Sequence, residues 1–210
     1  LTAAVVAIGG SYLIGAIPFS YIAGRLLKGV DLRQHGSGNL GASNTFRILG
    51  TAPGVTVLVL DIAKGFLPVF GAAKVAAASG LSVHWLTLAC AFAAVFGHMY
   101  SVYLKFSGGK GIATAAGAFL AMQPYALLGS FAVWLVVFAT RRIMSLATLS
   151  AAATLPIFVY LSGRLQLWPT HWSYTAVSGL LVVIIFFRHR SNIRRLLDGT
   201  EPALARKKHT

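Results

Sequence analysis

An all-α protein embedded in a bilayer is the fold class this sequence predicts, and three observations carry that reading. Hydrophobic residues make up 57% of the 210 residues and charged ones only 10%, at a mean hydropathy of +0.75. A soluble domain, with about 25% charged residues, coats itself in a polar surface that this chain cannot supply. The apolar residues also come in runs of the length a helix needs to cross roughly 30 Å of hydrocarbon. Finally, the 18 Lys and Arg, set against 4 Asp and Glu, gather between those runs. In a soluble protein such an excess points to nucleic acid; placed like this it reports membrane topology, and no nucleic-acid partner is expected.

Taken in order, the runs at 1–24, 51–76, 84–104, 143–163 and 171–187 each predict one span. The first begins at Leu1 without a basic n-region or cleavage site and reads as a mature span. The interval 112–140 decides the count. As one long helix it gives six spans and spreads the basic residues almost evenly over both sides. As two short helices turning at Gln123 and Pro124 it gives seven, and every Lys and Arg except Lys64, Lys74 and Arg164 falls outside the spans on one side. Positive charge collects on the cytoplasmic side, so the prediction is seven transmembrane helices, amino terminus outside and carboxyl terminus cytoplasmic. The cost is a first short helix of about 17 Å, less than the hydrocarbon thickness. No repeat or linker is visible, so residues 1–210 form one polytopic domain with a basic cytoplasmic tail over 196–210, expected to be flexible.

This layout brings 25–50, 105–111, 141–145 and 188–210 to one membrane face, where any chemistry is expected. The loops near 77–83, 123–124 and 164–170 are connectors.

In the first of these segments, Gly36-Ser37-Gly38-Asn39-Leu40-Gly41-Ala42-Ser43-Asn44-Thr45-Phe46-Arg47, the glycines let successive backbone N–H groups turn toward one point. Ser37, Asn39 and Asn44 add neutral donors, and Arg47 can close on phosphate oxygens. The competing reading is a flexible turn re-entering the membrane. The second segment, Ser107-Gly108-Gly109-Lys110-Gly111, opens directly onto an apolar helix and presents a lysine at its positive end. It lacks the spacing and preceding strand of a P-loop, so nucleotide hydrolysis does not follow; a topological anchor is the competing reading.

In the last segment, Phe187-Arg188-His189-Arg190-Ser191-Asn192, His189 and Asn192 lie three apart and would share a face if the helix continues, while the arginines suit headgroups. Arg141 and Arg142 read as anchors and Ser145 as a further ligand of the same pocket. Within the second span Asp61 and Lys64 pair on one helix face, as structural glue or as support for the loops. His98 reads as a satisfied buried histidine, with donation to a backbone group near the Lys110 turn as the competing reading, and Cys90 as a small buried hydrophobe with no disulfide partner.

The acids number only Asp31, Asp61, Asp198 and Glu201, too few near one another for a two-metal phosphoryl site. No metal and no cofactor are expected.

These three segments, in this order and this layout, resemble the bacterial acyl-phosphate:glycerol-3-phosphate acyltransferase family, over residues 12–200. The resemblance implies a multi-pass bacterial inner-membrane enzyme with its active site facing the cytoplasm. It would move a fatty acyl group from acyl phosphate to glycerol 3-phosphate, releasing lysophosphatidic acid and phosphate, with membrane lipids around it and no obligate protein partner. Carried onto this chain, the catalytic residues become Ser37, Arg47, Lys110 and His189. The substrate-binding residues become Gly38, Asn39, Gly41, Asn44, Gly108, Gly109, Ser145 and Asn192. The histidine-to-aspartate pattern of other glycerol-phosphate acyltransferases is missing. From the residues alone, a carrier or channel for an organic phosphate is the alternative, weakened by the lack of repeats and of a midplane site beyond Asp61 and Lys64.

Overall fold

The computed structural model describes residues 1–203, and every regular element among them is helical. The chain divides into two compact units, Leu1–Met122 and a second that begins at Gln123.

In the first unit, α1 (Thr2–Ala16) and α2 (Phe19–Lys28) break the first apolar run, which was predicted to be continuous. The cause is Pro18: it offers no N–H and forces Ile17 out of the helical region, to φ −58° and ψ 118°. The carbonyls left at the end of α1 find donors far along the chain. Ser101 Oγ donates to Ala16 O at 2.6 Å and Lys64 Nζ donates to Ile17 O at 2.8 Å. After the Gly-rich loop come α3 (Ala42–Leu49), α4 (Thr51–Ser79), α5 (Val83–Met99) and α6 (Ile112–Met122). Small residues set the packing. Gly65 on α4 faces the Thr114 carbonyl of α6, Gly117 on α6 faces the Ile62 carbonyl of α4, and Gly15 on α1 meets Ala94 on α5. Backbones approach this closely only where no side chain intervenes, the packing device available where lipid removes the hydrophobic drive between helices.

The second unit holds α7 (Pro124–Arg141), α8 (Met144–Arg164), α9 (Trp172–Arg188) and α10 (Arg190–Leu197). The turn predicted at Gln123 and Pro124 is present. Pro124 occupies the first helical position of α7, and the buried Gln123 side chain donates to Pro169 O at 3.0 Å while accepting from Thr170 Oγ1 at 3.2 Å.

Thr2–Lys28 (α1 and α2 together), Thr51–Ser79, Val83–Leu104, Pro124–Arg141 and Met144–Arg164 are each long and apolar enough to cross a membrane. The pair α9 and α10 makes a sixth if it counts as one span, and α6 falls short at 11 residues. Exposed apolar side chains along these helices, such as Val5, Leu67, Leu128, Val136 and Ile157, suit a lipid surrounding.

One helical expectation is corrected. The chain does not run straight through His189: α9 and α10 meet there at 66°. The bend separates an apolar helix from one carrying three arginines in eight residues, as expected where a chain leaves hydrocarbon and turns along the headgroups. Of the predicted tail, Leu196 and Leu197 end α10 and Glu201 is held by hydrogen bonds. Residues 204–210 lie outside the described residues.

Candidate active site

The first loop is framed by an acid. Buried Asp31 accepts from Arg33 Nη2 at 2.6 Å and from the Arg33 N–H at 3.0 Å, and lies 3.7 Å from Arg25. The Arg33 bonds hold the Asp31 carboxyl below the usual carboxylate range despite its burial. Arg25 and Arg33 are thereby drawn into the frame of the loop, whereas Arg47 stands exposed on the last turn of α3.

Asn44 then shapes the turn. Its Oδ1 accepts the Ser37 N–H at 2.9 Å, and its Nδ2 donates to the carbonyls of Leu32 and His35, both at 3.0 Å. At 1% exposure, its amide holds the loop from inside. Gly36 and Gly38 adopt φ of +62° and +67°, a region that favours glycine, so the chain reverses and leaves Ser37 exposed. Gly41 opens α3 and its carbonyl receives the Thr45 N–H and hydroxyl. Asn39 is half-buried beside it.

The second loop meets the first at Gly109. The Gly109 N–H donates to His98 O at 3.1 Å. A Cβ on Gly109 would strike Leu40 O and the His98 ring, and one on Gly108 would strike the carbonyls of His98 and Met99. Glycine is required at both positions by close approach. Gly111, at φ +81°, then opens α6, so half-buried Lys110 sits immediately before that helix. Two of the three sequence segments thus come together within one unit.

The third segment belongs to the second unit. His189 is buried at 4% exposure, and its Nδ1 lies 2.9 Å from the Ile185 carbonyl. That bond places the proton of a neutral ring on Nδ1 and makes Nε2 the acceptor nitrogen. The Glu201 carboxylate gathers its neighbours. Its Oε1 accepts from Ser145 Oγ and Asn192 Nδ2, both at 2.6 Å, and its Oε2 accepts from Arg195 Nε at 2.6 Å. Burial works against ionising Glu201, but these three donors outweigh it and hold the carboxyl below the usual range.

Sequence reasoning missed Glu201 and Arg195. The available signal was an acid set among the arginines and lysines of the tail, in a chain with four acids altogether.

Apolar helices long enough to cross a membrane, joined by glycine-built turns, define an integral membrane protein. Residues 5–199 match the family described as glycerol-3-phosphate acyltransferase, and the chain belongs to that family. It is 44% identical over 194 residues to glycerol-3-phosphate acyltransferase 2 of Moorella thermoacetica, covering 92% of this chain and 94% of the relative. It is 40% identical over 203 residues to the glycerol-3-phosphate acyltransferase of Synechocystis, covering 94% and 89%. Among solved structures it is similar to PlsY, an integral membrane glycerol 3-phosphate acyltransferase. The glycerol 3-phosphate form matches with a TM-score of 0.86 at 40% identity over 96% of both chains. The lysophosphatidic acid form matches with a TM-score of 0.84 at 38% identity over 96% and 95%. Membership of an acyltransferase family decides against the carrier alternative.

Proposed function

We propose that this enzyme transfers a fatty acyl group from acyl phosphate to a hydroxyl of glycerol 3-phosphate. The mixed anhydride breaks, an ester forms, and lysophosphatidic acid and inorganic phosphate leave. This is the first acylation of bacterial phospholipid synthesis, carried out at the cytoplasmic face of the inner membrane. In this reading α6 is the short span of a seven-span layout, with the amino terminus outside and the carboxyl terminus cytoplasmic.

One observation carries the reading: the two segments suited to phosphate, the Gly36–Gly41 loop and the Gly108–Lys110 turn, meet at Gly109. Both substrates are phosphorylated. Phosphate is already a good leaving group, so alignment of the hydroxyl and stabilisation of developing negative charge supply most of the acceleration. Ser37, Arg47, Lys110 and the backbone at Gly38, Asn39, Gly41, Gly108 and Gly109 bind phosphate oxygens. Asn44 holds the first loop in shape. His189, its Nδ1 committed to Ile185, orients substrate through Nε2 while a substrate phosphate oxygen takes the hydroxyl proton. Asn192 binds substrate from the same cluster, its Nδ2 donating to Glu201. Ser145 donates its proton to the Glu201 carboxylate that Asn192 shares, and its oxygen can accept from a substrate hydroxyl.

The donor is tested directly by offering the purified enzyme and glycerol 3-phosphate an acyl phosphate, an acyl-CoA or an acyl carrier protein. Product is expected from acyl phosphate alone. Equal or better turnover with either thioester overturns the donor assignment.

A further inference from the structure

Three buried ionisable side chains lie behind the glycine turn. Asp61 and Lys64 are one turn apart on α4, with Lys64 Nζ 2.7 Å from Asp61 Oδ1, and His98 Nδ1 on α5 stands 3.7 Å from the same oxygen. They are 2%, 4% and 8% exposed. Burying an ion pair costs more desolvation than its attraction returns unless further partners complete it, and an apolar pair would hold two helices equally well.

The partners here run in one direction. Lys64 reaches the Ile17 carbonyl at the α1–α2 break, Asp61 faces His98, and His98 supports Gly109 with both its carbonyl and its ring. On its other side Gly109 abuts Leu40 O of the first loop. A small cavity of about 10 Å³, lined by Lys64, Asp61, His98, Ser101, Gly108 and Gly109 among others, marks where these elements meet. The charged cluster therefore joins the break in the first span to both phosphate loops.

We propose that His98, fixed by the Asp61–Lys64 pair, is a positioning residue for the phosphate turn. Its ring and carbonyl set the height of Gly109, and so the aim of Lys110, against the Leu40 side of the first loop. The inference rests on the reading of Lys110 as a phosphate ligand but not on the identity of the acyl donor.

A double-mutant cycle on the full chain in detergent tests it, with glycerol 3-phosphate acylation measured using whichever donor the wild type accepts. His98→Ala is expected to lower kcat/KM about tenfold or more through misplacement of Lys110. In a Lys110→Ala background the same substitution is expected to change it by less than about twofold, because the group it positions is gone. A merely structural histidine gives losses that multiply, and that result overturns the inference while leaving the phosphate reading intact. If Lys110→Ala alone is neutral, the phosphate reading fails and takes this inference with it. His98→Asn retains a donor toward Asp61 and loses the ring beside Gly109, so it supplies the cycle if the alanine variant does not fold. Wild-type kcat/KM in His98→Asn also overturns the inference.

Discussion

The two units handle anionic groups by different means. In the first, glycines bring backbone close to backbone, Asn44 spends its whole amide on the loop, and Asp31 draws Arg25 and Arg33 into the frame. In the second, side chains do the gathering, with Ser145, Asn192 and Arg195 converging on the Glu201 carboxylate. A backbone-built turn tolerates almost no added atom but is indifferent to small changes of charge. A side-chain cluster built on one acid has the opposite sensitivity, and substitutions can be ranked accordingly.

The largest effect is expected at Gly109. Gly109→Ala drives a methyl into Leu40 O, a backbone atom that cannot swing away, and into the His98 ring. Activity should fall by about a hundredfold or more, as for other small displacements of binding groups. Near-wild-type activity in a folded Gly109→Ala would show that the turn is not constrained as described. Next come Arg47→Ala and Lys110→Ala, each expected to remove the charge-assisted phosphate contact proposed for it, about 1.5 to 3 kcal/mol, or roughly ten- to a hundredfold in kcat/KM. Unchanged kinetics in both would remove them from the site.

His189→Gln separates positioning from base catalysis. The proposed mechanism expects appreciable turnover with a raised requirement for glycerol 3-phosphate; loss of chemistry at saturating, demonstrably bound substrate would make His189 the base.

Acid bears on both units, through Asp31 in the first and Glu201 in the second. The folded protein holds Glu201 ionised below its ordinary range, so this carboxylate contributes stability that is fully present above the unfolded value of about 4.3 and is lost as pH falls through the lower folded value. Glu201→Gln should lower stability at neutral pH and flatten the acid limb of the wild-type profile, read from thermal unfolding in detergent. An unchanged acid limb would remove Glu201 as its source. The smallest effect is expected at Arg190, which is exposed, bonds to Phe187 O and lies over the Phe187 ring. Arg190→Ala should leave activity within about twofold, as for most exposed charges.

Much of the helical layout was legible because lipid imposes simple rules. Apolar runs of sufficient length give helices, and the Gln123-Pro124 turn is visible because proline starts a helix better than it continues one; α6 spans Ile112–Met122, as the sequence reading had it. Pro18 carried the same signal but lay within an apolar run, and the break there was missed. The bend at His189 has no proline or glycine to announce it. The glycine segments were legible as constrained turns because close approach and positive φ leave a compositional trace. The links from Asp61 to His98 and from Ser145 to Glu201 span 37 and 56 positions and have no local pattern; only the packing of helices brings them together.

The most direct test is to follow phosphate release from acyl phosphate by the purified enzyme in detergent, with and without glycerol 3-phosphate. Release strictly dependent on glycerol 3-phosphate, with one acylated product per phosphate, is the predicted result. Equal release in its absence, or acylated product formed with no phosphate released, would contradict the proposed transfer.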